Sequence, residues 1–146
     1  MHKKYIPAYV VELESFYRLV LFNYLFSNGN RHLKNFSIQM TTSGDYKLAP
    51  AYDLIKTKIH LKEDTSMALT DGLFKIDCAT KSFEANAFYS YDDFYEFGLK
   101  IGLLEKRMIR MIDFFRTEQN KTVGLIEQSF LIAATKKQFK FCPRIN

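Results

Sequence analysis

A mainly α-helical domain carrying one small β-hairpin is the fold class that this sequence predicts, on three observations. Val10 to Leu25 is largely apolar and long enough for a buried helix. Phe36–Met40 and Tyr46–Ala49 are short strand-like runs either side of the turn Thr42-Ser43-Gly44-Asp45. From Ser90 onward, apolar residues recur at helical spacing. At 146 residues, with 47% hydrophobic and 16% aromatic residues, the chain is long enough for a real core and too apolar for a disordered tail. Residues 1–146 read as a single domain, without an internal repeat, low-complexity segment or linker.

In chain order, Met1–Ile6 is a basic lead-in and Pro7 starts or precedes the first turn. The first helix is expected from Tyr9 or Glu12 to Ser27, apolar nearly all round and therefore central, with its stop at Asn28-Gly29, where both residues accept left-handed backbone. The hairpin follows, then Pro50-Ala51-Tyr52-Asp53. Met67–Phe74 is expected as a strand with a turn, and Lys75–Ser90 mostly as loop. Ser90-Tyr91-Asp92-Asp93 offers caps for a helix that Gly102 ends. A second late helix is expected over Leu104–Phe115, a third over Thr122–Phe139, and Pro143 closes the end.

The polar stretch Asn28-Gly29-Asn30-Arg31-His32-Leu33-Lys34-Asn35, between a buried helix and a strand, is where a site is expected. Kinase catalytic loops space an aspartate and an asparagine by four residues, the first taking the substrate hydroxyl proton and the second binding Mg²⁺. Here Asn35 fills the second position, Asn30 stands at the first, and a hairpin of this length returns Asp53 close to Asn35. One amide and one carboxylate can share a hard cation. With Leu48-Ala49-Pro50-Ala51-Tyr52-Asp53-Leu54 following, the chain resembles the HipA-like serine/threonine kinases of bacterial toxin–antitoxin systems. Their pattern runs Asp-x-His-x-Lys-Asn, then a Ser/Ala-Pro-x-Tyr-Asp run. Leu69-Thr70-Asp71-Gly72-Leu73-Phe74 extends the resemblance.

The resemblance implies the larger, C-terminal lobe of a kinase-like fold, with ATP and Mg²⁺ as cofactors and Asn35 and Asp53 as metal ligands. It also places Asn30 where the family has its catalytic aspartate. An amide orients a hydroxyl but lacks basicity near neutral pH, and general-base contributions are about 10²–10⁴-fold. His32 is read as a structural histidine bonding the backbone, ahead of a phosphate donor or base. Lys34 is set to offset charge on a transferring phosphate or, as an ordinary surface lysine, to do nothing. Arg31 receives no role.

No Gly-rich flap is legible in residues 1–146, so the chain is expected to match only the C-terminal part of the family's proteins and to be inactive alone. Three accounts follow: a lobe needing an N-terminal kinase-lobe partner; a pseudokinase binding module that meets an antitoxin or related toxin; or a shared fold with unrelated binding. Homo-oligomerisation through the uncovered face is also expected.

Net charge is +5, from 21 Lys+Arg against 16 Asp+Glu, and this mild excess selects no partner. Lys136-Lys137-Gln138-Phe139-Lys140 has no accompanying base-reading motif, so DNA enters only indirectly, through a complex. Cys78 and Cys142 are far apart, in no metal-like spacing, and are expected as free thiols in a reducing cytoplasm. Glu12, Glu14 and Arg18 interrupt the apolar segment, which argues against a membrane span.

Overall fold

The computed structural model describes residues 4–29, 35–59, 72–74, 80–117 and 120–140. The order is α1 (Tyr9–Leu25), β1 (Ile38–Met40), β2 (Tyr46–Leu48), a 3₁₀ turn (Thr57–Ile59), α2 (Lys81–Asn86), α3 (Tyr91–Lys100), α4 (Glu105–Arg116), α5 (Asn120–Gln128) and α6 (Ala133–Lys140). The mainly helical class with an antiparallel hairpin is what the structure shows, with Ile38 opposite Leu48 and Met40 opposite Tyr46.

Helix α1 is the pillar of the domain. Leu13, Tyr17, Val20, Leu21 and Tyr24 are buried against Phe94 and Phe97 of α3 and Met108, Met111 and Ile112 of α4. Each such side chain contributes about 1.5–3 kcal/mol on removal from water. The burial is one-sided: Val10, Val11 and Arg18 are exposed, so α1 is central without being covered all round. The two carboxylates that interrupt its apolar run are structural bolts. Glu12 Oε2 accepts the Leu48 N–H of β2 at 2.9 Å, and Glu14 Oε1 meets Arg107 Nη1 of α4 at 2.6 Å.

Two tyrosines of α1 fasten it to the chain entering α3. Tyr17 donates its hydroxyl to the Phe94 carbonyl (2.8 Å), and Tyr24 to the Tyr89 carbonyl (2.9 Å). The N-terminus of α3 carries the expected cap: the fully buried Asp93 carboxylate accepts the Ser90 N–H at 2.6 Å and its hydroxyl at 2.9 Å. Asp93 also accepts the Thr80 hydroxyl.

The structure corrects three expectations. Within Lys75–Ser90, Lys81–Asn86 is helix and not loop, because Thr80 Oγ1 caps it by accepting the Phe83 N–H (3.0 Å) and Ala87 closes it in the left-handed region (φ 56°). The single helix expected over Thr122–Phe139 is two. Ser129 folds back on Ile126, its N–H at 3.2 Å and its hydroxyl at 2.6 Å from that carbonyl, and this tight turn ends α5. Lys136 Nζ then donates to the Glu127 carbonyl across the break. Third, the helix stop comes before Asn28-Gly29: α1 ends at Leu25 and Ser27 takes the left-handed conformation, with φ 52°. Most of the strand expected over Met67–Phe74 lies outside the described residues, as do Cys78, Cys142 and Pro143; Gly72-Leu73-Phe74 is a bend. Among the described residues, no helix is long and apolar enough to cross a membrane.

Gly98 sits where α3 crosses α4. A Cβ there would overlap Met108 Sδ and approach Tyr17 Cε2 to 3.2 Å, and Met108 is fully buried. Gly98→Ala is therefore expected to destabilise by about 1–3 kcal/mol, outweighing a helix-propensity gain of about 1 kcal/mol. A denaturant midpoint equal to or above that of the parent chain would contradict this packing.

Burial, with a smaller contribution from Tyr91, pushes the Tyr17 phenol above its ordinary value of 10.0. The unfolded chain then loses this proton at lower pH than the folded one, so stability falls as pH rises through and above 10. Tyr17→Phe is expected to cost about 1 kcal/mol near neutral pH through the lost hydrogen bond. It should also flatten the alkaline decline, which urea titrations at several pH values would measure.

Candidate functional site

The site is built at the C-terminal end of α1, where the helix closes through backbone hydrogen bonds. Ser27 N–H donates to the Tyr24 carbonyl (3.0 Å) and Asn28 N–H to the Asn23 carbonyl (2.8 Å), the crossed pair of a Schellman stop. An apolar contact usually ties the residues at these two positions. Here a buried amide pair does so: Asn28 Nδ2 donates to Asn23 Oδ1 at 2.8 Å, while Asn23 Nδ2 donates to the Leu19 carbonyl at 2.6 Å.

The second hydrogen of Asn28 Nδ2 goes to the Asp53 carbonyl at 2.9 Å. Asp53 has left-handed backbone, φ 55°, which asparagine and aspartate tolerate better than most residues. Beside it, Asn35 Nδ2 donates to Asp53 Oδ2 at 2.9 Å. The structure thus brings Asn35 and Asp53 side by side at the end of α1. Thr57 completes the frame from below: its buried hydroxyl donates to the Ser27 carbonyl (3.1 Å) and accepts the Gly29 N–H (2.9 Å). Ser37 and Tyr52 hydroxyls lie 2.8 Å apart, joining the start of the hairpin to the residue before Asp53.

Asn30, Arg31, His32 and Lys34 fall outside the described residues. Asn23 and Thr57 are positioning residues that the sequence reading missed, and Asn28 figured there only as a helix stop. A signal for the first existed: an asparagine inside an apolar helix, five residues before another, marks a buried amide in need of a partner. Thr57 carries no local signal. Its role depends on a turn that brings it back thirty residues later.

A pair of oxygen-bearing side chains, one carboxylate and one amide, suits a hard divalent cation. Mg²⁺ usually takes one or two carboxylates and completes its shell with water and substrate phosphates. Among the described residues no group of three or more His, Cys, Asp or Glu side chains could hold a metal. Around the pair, Tyr52, Leu54 and Ile55 are exposed, as are Ile38 and Met40 of β1.

Asn28→Ala would remove both hydrogen bonds of one buried amide and leave the Asp53 carbonyl and Asn23 Oδ1 without that donor. The expected cost is about 1–3 kcal/mol per unsatisfied group, within non-additivity. The Asn28 and Gly29 amides, which donate to the Asn23 carbonyl and to Thr57 Oγ1, should at the same time lose protection in hydrogen exchange. Stability lost with no change in protection at Gly29 would mean that Asn28 only fills space.

Residues 2–123 match the family model of the HipA-like C-terminal domain. Over 129 residues the chain is 30% identical to a Haemophilus influenzae protein named "Putative kinase". That similarity covers 84% of this chain and 38% of the relative, so the chain spans well under half of that protein's length. With the family model covering the hairpin, the Asn35–Asp53 pair and the helices around α1, the chain belongs to the family of HipA-like C-terminal domains.

Proposed function

We propose that this chain is the C-terminal lobe of a HipA-like serine/threonine protein kinase, supplying the catalytic loop and the Mg²⁺ ligands for phosphoryl transfer from ATP. The observation that carries this is the Asn35–Asp53 contact at the end of α1, held by Asn28 and Thr57. In this reading Asn35 Oδ1 and the Asp53 carboxylate hold Mg²⁺, which when bound neutralises charge on the phosphates. Lys34 lies next to that pair in sequence and supplies a further positive charge toward the transferring phosphate; His32 supports the loop.

Asn30 stands at the position of the family's catalytic aspartate and orients a hydroxyl without removing its proton. Phosphoryl transfer by the chain alone is therefore absent or very slow, and a lobe carrying the nucleotide flap is needed beside it. The exposed Leu54 and Ile55 just after Asp53, and Ile38 and Met40 of β1, are suited to such a partner lobe or to an antitoxin. Asn30 also favours a second reading, in which the domain is a pseudokinase binding module of a toxin–antitoxin complex in the cytoplasm.

Calorimetry with ATP and Mg²⁺, on the chain alone and mixed with a candidate N-terminal lobe, tests the binding side. On the catalytic side, radiolabelled ATP is offered to the parent chain and to Asn30→Asp, each with and without that lobe. Label transfer is expected only when the substitution and the lobe are combined, with a gain of about 10²–10⁴-fold over the parent plus lobe. Nucleotide binding without transfer in any combination would favour the pseudokinase. Transfer by the parent chain alone would overturn both readings of Asn30.

A further inference from the structure

Along α1 runs a groove whose arginine end the metal-pair reading leaves unused. Between α1 and α4 lies a hollow of about 500 Å³, with Arg18, Arg107 and Arg110 around its mouth and Met111 and Phe114 among its walls. A second hollow of about 490 Å³ adjoins it through Arg18 and Phe115, which line both, and continues over Leu19, Phe22, Pro50 and Leu54. One end of the groove is cationic and the other is largely apolar.

The charges there do not cancel. Glu14 is engaged by Arg107 at 2.6 Å, and Glu12 accepts the Leu48 N–H at 2.9 Å, so both carboxylates of the groove are committed to the fold. Arg18 lies one turn along α1 from Glu14, and Arg110 one turn along α4 from Arg107. Among the described residues neither Arg18 nor Arg110 has an ion-pair or hydrogen-bond partner. Two uncommitted arginines lining one hollow can serve a carboxylate or phosphate monoester.

We propose that this groove binds an anionic peptide segment, its carboxylate or phosphate held by Arg18 and Arg110 and a neighbouring apolar side chain seated over Leu19 and Phe22. A free inorganic anion would leave the apolar half uncovered. A nucleic acid would require a longer row of cations than two uncommitted arginines beside two glutamates. Complementary charge at one end and apolar area at the other fit a peptide of mixed character. The arginine end lies ten residues before Asn28 in sequence and lines a hollow that includes neither Asn35 nor Asp53, whereas the apolar end reaches Leu54, the residue after Asp53.

The test needs neither ATP nor Mg²⁺, so it stands or fails apart from the kinase reading. Three fluorescein-labelled peptides of the form Gly-Leu-Phe-Ala-X-Ala-Gly, with X as phosphoserine, glutamate or alanine, are titrated with the full chain by anisotropy. The phosphoserine and glutamate peptides are expected to bind at least about tenfold more tightly than the alanine peptide. The double variant Arg18→Gln, Arg110→Gln should erase that difference, and Leu19→Asn should weaken the anionic peptides about threefold or more. Both arginines are exposed and unpaired, so an unchanged thermal midpoint verifies that the double variant folds. Equal affinity for all three peptides, or an unaltered preference in the double variant, would overturn the proposal. So would displacement by an equal concentration of inorganic phosphate, or an arginine-dependent affinity for a short single-stranded oligonucleotide matching that for the peptides.

Discussion

One buried amide ties the pillar of this domain to its chemistry. Both Nδ2 hydrogens of Asn28 are used, one on the preceding turn at Asn23 and one on the carbonyl of Asp53. Tyr17, Val20, Leu21 and Tyr24 fix α1 in the core, so its last residues are anchored by burial. A hydrogen bond from that fixed point to Asp53 transmits the rigidity to a loop with little burial of its own. It also offsets the left-handed conformation of Asp53, which costs of order 1 kcal/mol for a residue with a side chain. The strained residue and the carboxylate facing Asn35 are the same residue, so the backbone twist aims that side chain.

The same economy runs through the polar residues of α1. Asn23, Glu12 and Glu14 interrupt an apolar helix, and each is satisfied by a different neighbour: the turn after the helix, the β2 backbone and α4. An unpartnered polar group in such positions would cost about 1–3 kcal/mol, so these side chains specify which neighbour lies on which side of the helix more than they add stability. Helix and hairpin cannot slide past one another without breaking Glu12 from Leu48, nor can α1 and α4 without breaking Glu14 from Arg107. This registration keeps Asp53, five residues after β2, in step with the end of α1.

What the sequence made legible was local. The pillar helix, the hairpin and both ends of α3 follow from periodicity, turn residues and a capping box within four residues of each other. Asn35 and Asp53 could be paired in advance because a hairpin is a short, stiff connection whose ends must return together. Features closed by distant groups were hidden. Helix α2 is six residues of unremarkable periodicity whose Thr80 cap also donates to Asp93, on another helix. The break after α5 turns on Ser129 choosing its own backbone over the helix, in a stretch whose apolar residues Phe130 and Ile132 remain exposed and so give no packing signal. The stop falls at Ser27, before Asn28-Gly29, where the Asn23–Asn28 amide pair and the Thr57 hydroxyl hold the end of the helix.

On the proposed reading, an amide at the base position and an intact metal pair act on different terms of one reaction. Phosphoryl transfer passes through a loose transition state in which charge spreads over the phosphate oxygens, and most of the catalysis lies in positioning and electrostatics. Loss of proton abstraction then removes about 10²–10⁴-fold, roughly 3–5 kcal/mol, and leaves the binding terms alone. The Asn28–Asp53 and Asn35–Asp53 contacts belong to those binding terms, and neither passes through Asn30. On that reading the proposed Mg²⁺ ligands persist while the chemical step is suppressed.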